Sequence, residues 1–464
     1  MTTRPVWLAS LETLVGAQLC ETHTRRLQEY AVDGLIPSAV VCPETVEQVA
    51  AVLQWAQNEK LAVVPCGSGT KIGLGNIPKR LDIVLSTHRL TQVSEYDVAN
   101  FTITAGGGMT FAQLTQLTAA HMQMLPLQYP FSTATLGGLI AVNAYTPKRL
   151  RYGGVRDFLL GLRIALPSGE IAHFGGRVVK NVAGYDMCKL FLGSLGALGI
   201  IVEATFKLSA LPERDETLLA VLPSLEPGAA AVAQLMATQL LPSQILLLAP
   251  TAAQAVAPAI ATQAVAGTAL LLVNCEGMDE AVERQLADVT WICQGHGAST
   301  VQVLSGETQL QLRARLEAVT LSSPLLPSPL EGESSAGGGI VVRLGTLPSR
   351  VYTVMEAAVQ ALKPLASGAM IIGDCGVGLV KLCLGPEDLA TGAIDAPLLG
   401  ALRDLAGLVV GHGGHAVVEN APPEAKTQLE VWGLPASSFP LLKALKRTLD
   451  PESVLSPGRF IGGL

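Results

Sequence analysis

The spacing of apolar residues changes period many times along the chain, and each change predicts an element. Ala39-Val-Val-Cys42 is a short apolar run that predicts a strand. From Thr45 the spacing switches: Val46, Val49, Val52, Leu53 and Ala56 fall three or four apart, the stripe of a helix that Thr45 can cap. Strands are predicted at 61–64, 82–86 and 101–105, and a helix at 110–120. Residues 164–170 read as a strand and turn, followed by a second strand to Phe174. Ile200 to Leu208 is a further strand, with Val202, Thr205 and Phe206 among charged Glu203 and Lys207. Residues 1–30 read as a leading helix and connector.

Beyond Leu211-Pro212 the composition shifts to apolar strands alternating with Ala-rich helices. Pro227 to Cys275 contains no charged residue, which by length could span a membrane. Pro242, Pro250 and Pro258, with Gln234, Gln239, Gln244 and Gln263, divide it into pieces shorter than a span. These pieces, 229–240, 245–249, 251–265 and 269–274, read as buried helix and strand in turn. Residues 321–339, rich in Ser, Pro and Gly, read as a mobile insertion. Strands at 340–344 and 370–372 flank a helix over 350–362, a β-α-β arrangement. A last helix is expected over Phe439–Leu449.

Composition narrows the class. Of 464 residues, 15% are charged and 49% hydrophobic, as in a packed globular protein. A net charge of −7 gives no basic footprint for nucleic acid. The eight cysteines (20, 42, 66, 188, 275, 293, 375, 383) form no CxxC pair, so no iron–sulfur or zinc spacing is offered. The N-terminal residues lack the apolar core of a signal peptide, so reduced thiols and a cytoplasmic setting are expected.

Candidate chemistry gathers in glycine-bearing segments. The loop Pro65-Cys-Gly-Ser-Gly-Thr-Lys71 follows a strand and offers a nest of backbone N–H groups able to cradle a pyrophosphate. It has neither the Walker A spacing nor a third glycine at 72, and a strand-end turn explains such glycines as well. Pro130 to Gly138 brings hydroxyls at Ser132, Thr133 and Thr135 to a Gly137-Gly138 helix start. Arg149, Arg151 and Arg156 could meet an anion, or form a solvated loop with an Arg156-Asp157 pair. The stretch from Gly175 to Leu208 opens on Gly175-Gly176 with Arg177 and Lys180 and turns at Ala183-Gly184-Tyr185-Asp186. It then places glycines at 193, 196 and 199 before its strand. Glycines so spaced suit backbone lying close to a flat ligand or to a second layer of backbone.

In this order the segments resemble the p-cresol-methylhydroxylase-type (PCMH-type) FAD-binding domain of the vanillyl-alcohol-oxidase superfamily, most clearly over residues 41–211. Gly413-Gly-His415, Val431-Trp-Gly433 and Asp450-Pro…Ser456-Pro-Gly-Arg459-Phe add to the likeness. Within the superfamily the chain is most similar to the smaller flavin-binding subunits of bacterial glycolate dehydrogenases. The resemblance implies an α+β fold: a two-part PCMH-type FAD-binding domain with a ferredoxin-like α/β cap. It implies an N-terminal connector over 1–30, the flavin domain over 31–212, the cap over 213–435 and a returning helix and tail over 436–464. FAD is the implied cofactor, bound non-covalently, with a thiol link to Cys66 conceivable. Cys66, Gly67, Ser68, Gly69, Thr70 and Lys71 match the pyrophosphate loop. Ser132, Thr133, Thr135, Leu136, Gly137 and Gly138 match the segment along the ribityl and phosphates. Asn143, Arg149, Tyr152 and Gly153 match the next flavin-facing stretch, and Gly196, Ala197, Gly199, Ile200 and Ile201 the segment at the ring edge.

The implied reaction is glycolate oxidation to glyoxylate, or that of another small 2-hydroxy acid. The implied partners are a larger flavin subunit and an iron–sulfur subunit, on the inner face of the membrane with no transmembrane segment of its own. Catalytic relatives carry an H-x-G-D-G-N-x-H run and an E-H-G run. Gly373-Asp374-Cys375-Gly376-Val377-Gly378 stands where the first would fall, without either His. His412 and His415 form a Gly-flanked pair, solvated or functional, and His415 is the one candidate base; no metal site is expected. On that pattern the chain works inside a complex and turns over glycolate poorly alone; a stand-alone FAD-dependent 2-hydroxy-acid dehydrogenase is the second reading, and a scaffold that kept the fold without flavin is the non-enzymatic alternative.

Overall fold

A computed structural model describes residues 5–128, 132–176, 185–260, 267–321, 338–389, 394–433 and 437–464. Pro130, Arg177, Lys180, Ala183 and Gly184, and nearly all of the Ser/Pro/Gly-rich insertion, lie outside the described residues.

The first layer is a four-stranded sheet. Ala39–Val41, Ile83–Ser86 and Val63–Cys66 run parallel, with Cys20–Glu21 antiparallel at one edge. The crossover is the helix Val46–Asn58, opened by a capping box between Thr45 and Gln48. Its stripe of Val49, Val52, Leu53 and Ala56 is buried with Leu8, Leu11 and Val15 of the first helix. The open edge of this sheet is met by the far end of the chain. The Val63 N–H donates to the Val454 carbonyl at 2.8 Å, and the Ser456 N–H to the Val63 carbonyl at 2.9 Å.

The second layer is a five-stranded antiparallel sheet, in the order Val93–Asp97, Thr102–Gly106, Ile200–Lys207, Leu159–Ala165 and Ile171–Gly175. The short helix Leu136–Ala141 packs on it, capped where the Gly138 N–H donates to the Thr135 hydroxyl at 3.2 Å. The helix begins three residues before the apolar run at Leu139, because Thr135 supplies a cap there.

The rest is an eight-stranded antiparallel sheet with helices on both faces. Arg214–Leu222, Gln244–Leu248, Ala269–Gly277 and Thr300–Leu304 stand in the spatial order fourth, first, third, second. Ile340–Gly345, Met370–Asp374, Leu379–Leu384 and His415–Asn420 repeat that order. Each set is a β-α-β-β-α-β unit, with helices Leu225–Met236 and Asp279–Gly295 in one, Val351–Leu362 and Ala396–Gly411 in the other. One ferredoxin-like unit is expected from the sequence; two are present. They join edge to edge through Leu246, Leu247 and Leu248 against Asp374, Gly373 and Ile372. The uncharged stretch becomes two helices and two strands of this cap, and no helix among the described residues is long and apolar enough to cross a membrane. The helix expected from Ala229 starts at Leu225, where Pro227 fits the first turn.

Candidate active site

Two cavities lie where the three layers meet. The first has a cavity volume of about 90 Å³. Its walls are the loop from Pro65 to Ile72, the Ala134–Val142 segment, the Leu195–Ile201 turn and Arg459. Gly69 has a φ of 79°, so the loop passes through a conformation that favours glycine. The consequence is chemical. The amide N–H groups of Gly67, Ser68, Gly69, Thr70 and Lys71 donate to no group among the described residues, and the next amide in line, Ile72, turns back to the Gly69 carbonyl at 3.0 Å. Five free donors in one half-buried loop suit a strong, multiply charged acceptor. Cys66 beside them is neutral: burial pushes its thiol up to about 12 against the pull of the Arg459 charge.

The remaining glycines have a different reason. A Cβ on Gly107 would lie 2.4 Å from the Ile201 carbonyl oxygen, and one on Gly196 2.3 Å from the Pro65 ring. One on Gly199 would lie 2.4 Å from Ile164. The Gly137 N–H donates to the Gly107 carbonyl at 2.8 Å. Gly107 and Gly137 let one layer of protein backbone press on another, whereas Gly196 and Gly199 make room for the Pro65 and Ile164 side chains and also line the first cavity.

The second cavity adjoins the first through Lys71 and Val142, which line both, and sits under the seam of the cap. Arg343 and Lys381 are directly opposite on neighbouring strands, a repulsive pairing on its own. Glu419 resolves it. The register shifts between Val341 and Val342, leaving Glu419 as the unpaired bulge residue. Its carboxylate lies 2.7 Å from Arg343, 3.6 Å from Lys381 and 3.7 Å from Lys71. Burial alone would raise the pKa of Glu419, but the Lys381, Lys71 and Arg343 charges hold it far below the usual range. Three cations around one ionised carboxylate leave an excess of positive charge in a low-dielectric site.

Across the same cavity the Tyr145 hydroxyl donates to Asp374 Oδ2, and Lys381 Nζ lies 5.2 Å over the Tyr145 ring. Asp374 is buried at the seam, and its Oδ1 has no hydrogen-bond partner. Burial lifts its carboxyl to about 7, against the opposing pull of the Tyr145 hydroxyl, the Gly376 amide and the Lys381 and Arg149 charges. Tyr145 is held protonated, first by burial and then by the Asp374 charge. A carboxylate that titrates near neutrality, with one oxygen fixed by a phenol and the other free, can take up a proton.

Of the residues expected to face the flavin, Cys66 to Lys71, Thr135, Gly137, Gly138, Gly196, Gly199, Ile200 and Ile201 line the first cavity. Asn143 lines the second. Ser132, Thr133, Leu136, Ala197, Arg149, Tyr152 and Gly153 are outside the first cavity's lining. Leu136 is core, and the Ala197 carbonyl accepts from Lys446 at 2.7 Å. The three arginines do not converge: Arg151 bonds the Glu276 carbonyl and stacks on Tyr152, while Asp157 caps Gly154 at 2.8 Å. His415 lies over Gly345 at the start of its strand, outside the lining of the second cavity, where partial burial and then Arg343 and Arg149 lower its pKa. Among the described residues no group of three or more His, Cys, Asp and Glu side chains could hold a metal. Sequence reading passed over Tyr145, Arg343, Lys381 and Glu419. Their signal is a single charge or phenol inside a buried apolar run, as in Ile340-Val-Val-Arg-Leu-Gly345.

Residues 37–175 match the family "FAD binding domain", and residues 211–334 the family "FAD linked oxidases, C-terminal domain". The chain is 27% identical to the glycolate oxidase subunit GlcD of Bacillus subtilis (strain 168), over 92% of this chain and 89% of that protein. It is 28% identical to a D-lactate dehydrogenase of Archaeoglobus fulgidus, over 91% of each. Among solved structures, p-cresol methylhydroxylase with substrate bound superposes with a TM-score of 0.71 at 16% identity, over 97% of this chain and 95% of that one. Two domain families in series, whole-length relatives and a shared fold agree with a cleft lined by unpaired amides: the chain has the PCMH-type two-domain FAD-binding fold and is an FAD-dependent oxidoreductase.

Proposed function

We propose that the chain oxidises a small 2-hydroxy acid to the 2-oxo acid, with glycolate to glyoxylate as the first reaction to test. The carrying observation is that one cavity, adjoining the cleft of free amides, holds both the cation excess around Glu419 and the Tyr145–Asp374 pair. In this reading residues 31–212 with 436–464 form the flavin-binding part, and 213–435 the substrate-side cap. The Gly67–Lys71 amides hold the cofactor diphosphate. Thr135, Gly137 and Gly138 lie along the ribityl chain, and Gly196 and Gly199 to Ile201 border the ring. FAD, when bound, supplies the hydride acceptor. Lys71, Arg343 and Lys381 hold the substrate carboxylate, and their fixed places set the Cα–H direction. Asp374 takes the hydroxyl proton, and Tyr145 keeps its carboxylate oriented. The pair supplies a base that a search for histidines passed over, so the isolated chain is expected to turn over with an artificial dye. Asp374→Asn should cost about 10²–10⁴-fold in kcat. Dye reduction by glycolate, D-lactate and longer 2-hydroxy acids tests this; unchanged turnover in Asp374→Asn, or activity lost on His415→Ala alone, would reject it.

The likeness to a glycolate oxidase subunit also supports work inside a complex, with a larger flavin subunit and an iron–sulfur subunit taking the electrons onward. Co-expression with those partners should raise turnover with the physiological acceptor and leave dye-linked turnover of the chain in place.

A further inference from the structure

The C-terminal tail contributes a cation that the reaction scheme leaves unused. Arg459 is 3% exposed and lines the first cavity. One of its terminal nitrogens donates to the carbonyls of Ile72 and Leu74, the latter at 2.7 Å, and its Nε is buried with no partner. No carboxylate among the described residues forms an ion pair with it. Asp33, the acid whose charge reaches Arg459, is committed to Lys426 at 2.6 Å. Two buried cations therefore share one buried carboxylate, leaving an excess charge of a kind that is costly when uncompensated. Lys71, the other cation lining this cavity, is engaged with Glu419 at 3.7 Å. The unpaired guanidinium and the five free amides of Gly67 to Lys71 face the same space.

We propose that Arg459 neutralises the diphosphate of bound FAD, which makes the C-terminal tail part of the cofactor site. The inference rests on the reading that the first cavity holds FAD. The same guanidinium fixes the Ile72 and Leu74 carbonyls just beyond the amide loop, so charge compensation and loop order come from one group. A structural clamp alone would behave differently. It would stabilise the protein with and without cofactor, whereas a buried charge awaiting its partner helps only the loaded form.

The test is FAD affinity of the apoprotein, read by flavin fluorescence, together with the melting temperatures of apo and reconstituted protein. Arg459→Met removes charge and donors; Arg459→Gln removes the charge and keeps a donor for the carbonyls, which guards against a variant that does not fold. Charge-assisted hydrogen bonds imply that both weaken FAD by about 10- to 100-fold. The gap between reconstituted and apo melting temperatures should shrink, with the apo value falling least in Arg459→Gln. FAD affinity within threefold of the parent in both variants, or apo and reconstituted temperatures falling in parallel, would overturn the proposal. Gly69→Val serves as the reference. If it loses FAD while the Arg459 variants keep it, Arg459 is only a clamp; if all three keep FAD, the cavity itself is misassigned and the proposal falls with it.

Discussion

At Asp374 the proposed function and stability oppose each other. Its carboxyl ordinarily titrates near 4 and is raised to about 7 by burial, so the folded state favours the protonated form. Below pH 4 both folded and unfolded chains carry the proton and the penalty vanishes. As pH rises from there through 7 the folded state pays increasingly, to a limit on the order of 4 kcal/mol. Asp374→Asn should therefore melt at a higher temperature than the parent at pH 8 and show little difference at pH 4, while losing turnover; thermal scans across pH check both signs. In the parent, kcat/KM should rise with pH through about 7 as the base ionises. A second prediction concerns Gly69, whose φ of 79° a valine adopts only at a cost of about 1–3 kcal/mol. Gly69→Val should purify folded and colourless. Because the Cys66 thiol is neutral at physiological pH, it is a poor nucleophile towards flavin. Acid precipitation of the parent should release the yellow colour to the supernatant.

Elements were legible where local signals were complete. Thr45 with Gln48 announces its helix, and Thr45→Ala should lower stability by about 1 kcal/mol in a denaturant titration. The last helix runs over Phe439–Leu449, as its pattern predicts. The duplication of the cap was not legible, since most of its strands are buried on both faces and read as featureless apolar runs. What fixes each unit is the pairing order, which is non-local. The second cavity was hidden for the same reason: Tyr145 and Asp374 are 229 residues apart and meet only when the cap docks. The glycines of 193–199 were visible, but it was not visible that Gly196 and Gly199 meet the Pro65 and Ile164 side chains as well as lining the first cavity.

The whole molecule is held by ion pairs crossing between its parts. Lys148 pairs with the fully buried Glu276 and, at 3.2 Å, with Asp215, tying the flavin-side loop to the cap strands. Lys148→Met would strand the buried Glu276, while Asp215 keeps Arg313 at 2.8 Å, and a loss of about 3–5 kcal/mol is expected from thermal or denaturant unfolding. The cleft of free amides draws its walls from residue 65 to residue 459, almost the full length of the polypeptide. That spread has a consequence for biosynthesis. At about 5–20 residues per second, the wall containing Cys66 leaves the ribosome tens of seconds before Arg459 is made. The cleft therefore gains its last wall only after the tail is made and Val454 and Ser456 have paired with the edge strand at Val63, so flavin scarcity would be felt after synthesis of these walls rather than midway through it.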